Sequence, residues 1–160
     1  MANILCFGAV ILISLSLVSP SICAQKPGQN EEFNPEIVES VFRYQITRCA
    51  ENMSVAVFLL SVQGKDPSDE VMKRFADDAI RIRKRSMLGQ SDPTHEFIDK
   101  ESGKFAVLLS VDKLKLIEED RAEVSGSCGF ADGAARGYKY SLVKEENGWI
   151  VKRAKPTWMW

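Results

Sequence analysis

The sequence predicts an α+β domain, and three observations predict it. An amphipathic stretch opens at Asn34-Pro35, alternating apolar and polar residues recur from Lys104 to the end of the chain, and Asn147-Gly148 stands between two β-rich runs. A helix with one apolar stripe and strands with one apolar face have to bury those surfaces against each other. At 160 residues the chain has the size of one domain, and one core suffices at that size without a metal to hold it.

The first 24 residues are set apart by composition. Met1 to Ala24 contains no charged side chain, and Ile4 to Val18 is an apolar run broken by Pro20 and Ser21. That pattern reads as an export signal whose cleavage is expected after Cys23 or Ala24. The apolar run falls short of the roughly 20 residues a membrane span needs, so no stable span is expected after processing. The n-region lacks Lys and Arg, which leaves an uncleaved anchor as an alternative; a lipid-modified Cys23 is opposed by the bulky Ile22 before it. Residues 25–33 form a polar tether, and 34–160 the single domain. The expected location is periplasmic or secreted.

All 21 basic and 22 acidic residues follow the export segment. Charge so nearly balanced gives no basic face for a phosphate backbone, which excludes nucleic acid as the expected partner.

Asn34 supplies a helix N-cap and Pro35 a first helical residue whose missing N–H costs nothing there. The helix is expected to run to about Glu51, with Val38, Val41, Phe42, Ile46 and Cys49 on its buried stripe. Ser54 to Val62 is apolar at both parities, as in a strand covered on both faces. Asp66-Pro67 starts a second helix to about Asp77, burying Val71, Met72 and Phe75. Ala79 to Arg85 alternates Ile80 and Ile82 with Arg81, Arg83 and Arg85, which reads as an edge strand or, alternatively, a docking stripe for an acidic partner.

Gly89 to His95 and Lys100 to Lys104 carry turn signals. Phe105, Val107, Leu109 and Val111 share one face of the next strand; Ala122, Val124, Gly126 and Cys128 share a face of the one after. Tyr138, Tyr140 and Leu142 follow, then the Asn147-Gly148 hairpin, in which both turn residues are expected at positive φ, and Trp149 to Lys152.

Helix, short helix, then a meander through Arg121-Ala-Glu-Val, Tyr138-Lys-Tyr-Ser-Leu and Asn147-Gly-Trp-Ile-Val-Lys resembles the nuclear transport factor 2-like, or cystatin-like (SnoaL-like), superfamily over roughly Asn34 to Lys155. The resemblance rests on element order. It implies a long N-terminal helix packed on a curved, mainly antiparallel sheet, with a cone-shaped pocket between them. Such pockets serve isomerases, dehydratases, carriers and inert binding modules alike, so the resemblance does not choose an activity.

Cys49 and Cys128 are the two cysteines of the mature part, both expected to face inward, and in an oxidising compartment a disulfide is the first reading, two free core thiols the second. With no Cys-x-x-Cys, and with a sole histidine, His95, in a loop, neither zinc nor a nucleophilic triad is expected, and no metal or cofactor is implied. Asp77-Asp78 and Glu118-Glu119-Asp120 read as solvent-facing element ends. Asn52-Met53-Ser54 matches an N-glycosylation acceptor. The tail Pro156-Thr-Trp-Met-Trp is too apolar to hang in water, and is expected to close the core or cap a pocket.

A non-catalytic ligand-binding or interaction module is therefore the expected function, its pocket lined by Phe42, Tyr138, Tyr140, Trp149, Trp158 and Trp160. A small pocket enzyme of isomerase or dehydratase type, using a buried carboxylate, is the alternative. A small apolar ligand and a protein partner, a second copy of the chain included, are the partners left open.

Overall fold

The computed structural model describes residues 33–51, 55–91, 94–131 and 134–159. The export segment, the tether up to residue 32, the Asn52-Met53-Ser54 acceptor, Asp92-Pro93 and Trp160 lie outside the described residues. Everything described falls within Glu31–Trp160, which clusters as one unit.

Helix α1 spans Pro35–Ala50 and starts where the sequence places it: the Asn34 side chain accepts from the Glu36 N–H at 2.9 Å. Strand β1, Val57–Val62, follows. Helix α2 is only Asp69–Lys73, because Ser68 and not Asp66 is its cap, with the Ser68 hydroxyl accepting from Val71 N–H. Strand β2 is Ile82–Lys84, followed by a 3-10 turn at Arg85–Met87, then β3, Leu88–Gln90, and β4, Phe97–Asp99. Four long strands complete the chain: β5, Ala106–Glu118; β6, Arg121–Ala131; β7, Ala134–Glu145; and β8, Gly148–Met159.

The main sheet has six strands in the order β2-β1-β5-β6-β7-β8, and β3 pairs with β4 in a separate ribbon. From β5 to β8 the pairing is antiparallel, but β1 runs parallel to both of its neighbours, β2 and β5. This corrects the expected architecture of a long N-terminal helix on a curved, mainly antiparallel sheet: the sheet is mixed, strands make up most of the described residues, and α1 is the one main helix. The physical reason lies in β1. It is inserted between β2 and β5 and is covered on both faces: Phe58 and Leu60 join the large core with Val38, Val41 and Phe42 of α1, while Val57 and Leu59 pack with Ala106, Met87 and Leu88 on the other side. A strand buried on both faces reads as a continuous apolar run, the habit of parallel pairing.

Strand β2 is shorter than its alternation suggests. Ile80 is exposed and outside it, Arg83 pairs with Glu101 at 2.5 Å and Lys84 with Asp69 at 2.6 Å, so part of the basic stripe is already neutralised.

The β7–β8 hairpin turns one residue earlier than expected. Glu145 pairs with Gly148, and Glu146-Asn147 form the loop. Positive φ falls on Gly148 (112°), where no side chain opposes it, and not on Asn147. Strand β8 then continues far past Lys152, to Met159, as an edge strand. Lys152, Arg153, Lys155, Pro156 and a register shift between Gly137 and Tyr138 guard that edge against further pairing. The apolar tail is therefore sheet edge, not a plug: Trp158 is 43% and Met159 69% exposed.

Candidate functional site

Near its C-terminal end α1 projects Tyr44, Gln45, Arg48 and Cys49 from one side, as positions three and four apart do on a helix. Facing them are Cys128 and Phe130 of β6, Arg136, Tyr138 and Tyr140 of β7, and Ala154 and Pro156 of β8. The alternate residues 136, 138 and 140 share a face because successive side chains of a strand point to opposite sides. Together these residues line a cavity of about 670 Å³, open to solvent at one side and within the size range of small-molecule sites.

Its walls are aromatic. The Tyr44 and Tyr140 rings meet edge to face at 5.9 Å, and Tyr138 stacks on Tyr140 at the same centroid distance. Gly126 lies across from Tyr138 in the β6–β7 ladder; a β-carbon there would run into the Ser110 carbonyl and press on the Gln45 amide, so only glycine fits.

Gln45 is the polar centre. It is 3% exposed, and its Nε2 donates to the Ser110 carbonyl at 3.3 Å, the Ser127 carbonyl at 3.4 Å and the Tyr140 hydroxyl at 3.0 Å. These contacts lie beside a register shift in the β5–β6 ladder between Val111 and Lys113, where the Ser110 hydroxyl also accepts from the Ser127 N–H. Two backbone carbonyls can only accept, so they fix which end of the amide faces the sheet. Gln45 Oε1 is left buried with no partner. Burial pushes the Tyr140 phenol well above its ordinary value, against the opposing hydrogen bond from Gln45, so it stays protonated. Its oxygen is occupied as an acceptor and its proton is available to donate.

At the cavity's other end the Cys49 and Cys128 sulfurs are 3.0 Å apart as free thiols. The hydrogen bond between them draws Cys49 below the usual thiol value, while that bond and burial push Cys128 far above it. Arg136 stands directly opposite Cys128 in the ladder, Arg48 precedes Cys49, and both arginines line the cavity. Arg48 pairs with Glu51 at 3.1 Å; Arg136 makes no ion pair among the described residues.

Comparison with known proteins returns nothing. No family model, no curated protein and no solved structure matches this chain.

Of the residues expected to line a pocket, Tyr138 and Tyr140 do so. Phe42 is fully buried one turn earlier on α1, edge to face with Phe75, and Trp149 is a core residue of β8; neither lines the cavity. Trp158 sits against Gly137, outside the lining, and Trp160 is outside the described residues. Tyr44, Gln45, Arg48, Phe130 and Arg136 were not anticipated, although Gln45 carried a signal: a polar residue on the apolar stripe between Phe42 and Ile46.

Among the described residues no carboxylate lines the cavity. The buried carboxylate, Asp99, is on β4, where the Ser102 amide and hydroxyl donate to it. His95 lies on an exposed turn at positive φ, and Asp78 is held by Arg43. Among the described residues no cluster of His, Cys, Asp and Glu could hold a metal ion, and no helix is long and apolar enough to cross a membrane. A second groove, of about 760 Å³ at the start of α1, is lined by Glu36, Lys65, Asp66, Glu70 and Arg74, side chains already at home in water.

Proposed function

We propose that the chain is a non-catalytic module that binds a small, largely apolar molecule in the cavity between the end of α1 and strands β6 to β8, and that it works outside the cytosol. The observation that carries this reading is the cavity itself, about 670 Å³ with aromatic walls from Tyr44, Phe130, Tyr138 and Tyr140 and polar side chains from Gln45, Arg48 and Arg136. Binding sites combine such polar contacts with an apolar lining. The alternative, an isomerase or dehydratase, would need a carboxylate, and among the described residues none lines this cavity.

The export part of the proposal rests on the uncharged Ile4–Val18 run. The test of binding is titration with anilinonaphthalene sulfonate, a dye that fluoresces in apolar sites. Ala154→Trp, which fills the cavity from β8, should abolish the saturable enhancement, with folding checked by circular dichroism. Equal enhancement in the filled variant would place the dye elsewhere and remove the reading.

A further inference from the structure

Two thiols from different elements meet in the wall of the cavity. Cys49 is in the last turn of α1 and Cys128 is on β6; both line a cavity open to solvent, both are partly exposed, and their sulfurs are 3.0 Å apart with no bond between them. A neighbouring contact sets their approach. Gln45 lies one helical turn before Cys49 and donates to the carbonyl of Ser127, the residue before Cys128, at 3.4 Å, so helix and strand are tied together beside the sulfurs. A disulfide, about 2.05 Å long, needs the sulfurs to close by only about 1 Å from where they stand. The two are also unequal. Their contact draws Cys49 below the ordinary thiol value and, with burial, pushes Cys128 above it, and the thiolate is the form that attacks.

We propose that Cys49 and Cys128 form a thiol–disulfide exchange site, entered through the cavity, that reacts with a low-molecular-weight disulfide. The Cys49 thiolate attacks one sulfur of the small disulfide, whose sulfur–sulfur bond breaks; a mixed disulfide forms on Cys49, and the leaving thiolate takes up the proton that Cys49 released. Cys128 then attacks the Cys49 sulfur, its proton passing to the second leaving thiolate as the Cys49–Cys128 bond forms. Two protein thiols are oxidised to one disulfide and the small disulfide is reduced to two thiols, so an excess of small thiol reverses the sequence. The bridge joins the end of α1 to β6, which couples the cavity wall to the thiol–disulfide balance around the protein. This chemistry does not require the cavity to hold an apolar ligand.

The experiment exposes the full chain to oxidised glutathione, with Cys6→Ser and Cys23→Ser removing the thiols of the N-terminal segment. Acid-quenched samples are followed by mass spectrometry and peptide mapping, with folding checked by circular dichroism. The pair should end as a Cys49–Cys128 bridge carrying no glutathione, and excess reduced glutathione should restore both thiols. Cys128→Ser should hold glutathione on Cys49. In Cys49→Ser, Cys128 should react at least about tenfold more slowly than Cys49 does in Cys128→Ser. Equal rates in the two variants overturn the order of attack. Glutathione retained on both cysteines without a bridge, or reaction only after unfolding in urea, overturns the site. A bridge formed in a protein that binds no dye supports the exchange site and removes only the ligand reading.

Discussion

The side-chain amide of Gln45 donates to the hydroxyl of Tyr140 at 3.0 Å, tying the C-terminal half of the helix to the third strand of the meander. Gln45 keeps two carbonyl partners without that hydroxyl. Tyr140→Phe should therefore destabilise the protein by only about 0.5–1.5 kcal/mol, read as a lower urea midpoint with unchanged slope. A loss several times larger would mean the hydroxyl bears more of the helix–sheet contact than its partners indicate.

Two glycines should respond differently to the same methyl group. At Gly126 a β-carbon meets the backbone carbonyl of Ser110, which cannot move without parting β5 from β6, so Gly126→Ala should cost about 1–3 kcal/mol. At Gly137 it meets the Trp158 indole, a side chain 43% exposed and able to swing away. Gly137→Ala should cost less and shift tryptophan emission to the red. Equal costs in urea unfolding would contradict this account of what each glycine accommodates.

The thiol pair gives a third expectation. The contact draws Cys49 below the ordinary thiol value and pushes Cys128 above it, so limiting iodoacetamide should label Cys49 ahead of Cys128 in peptide mapping. Under mild oxidation the two should join. A bridge between residues separated by 79 positions would stabilise the fold by up to about 4.5 kcal/mol on the chain-entropy model. Two titratable thiols persisting in the denatured, oxidised protein would refute the pairing.

Asp99 predicts an acid limb of stability. Burial pushes its carboxyl up, but hydrogen bonds from the Ser102 side chain and from the Ser102 and Glu101 backbone, with the charge of Arg83, outweigh that and hold it below the usual range. A depressed folded-state pKa contributes stability that is fully present above the unfolded value of about 3.9 and is lost as pH falls through the lower, folded value. Asp99→Asn should flatten the decline in unfolding free energy below about pH 4. An unchanged acid slope would assign the decline to other carboxylates.

What the sequence made legible was local. Asn34-Pro35 announced the helix, the two parities of Val57–Leu60 announced a strand covered on both faces, and the alternation at Ala122 to Cys128 placed Cys128 on the side facing Cys49. What it concealed depended on distant partners. The parallel pairing of β1 with β5 joins residues about fifty positions apart, which no local period records. Asn147-Gly148 named the hairpin but not its register, since a single glycine could take the positive φ alone. Trp158 looked like a core plug because hydrophobicity was weighed without its strand partner, Gly137, whose bare backbone supplies the packing surface. Of the cavity, the tyrosines of β7 were legible by alternation. Gln45 was not, because its three partners lie on three different strands.

The most direct measurement is the chemical shift of the Gln45 side-chain amide as anilinonaphthalene sulfonate is titrated into the folded chain. The account predicts a saturable shift there, accompanied by Cys128 and Tyr138 and absent from the α1 start around Glu36. A Gln45 amide that stays fixed up to the solubility limit of the dye would contradict the claim that this cavity is a binding site.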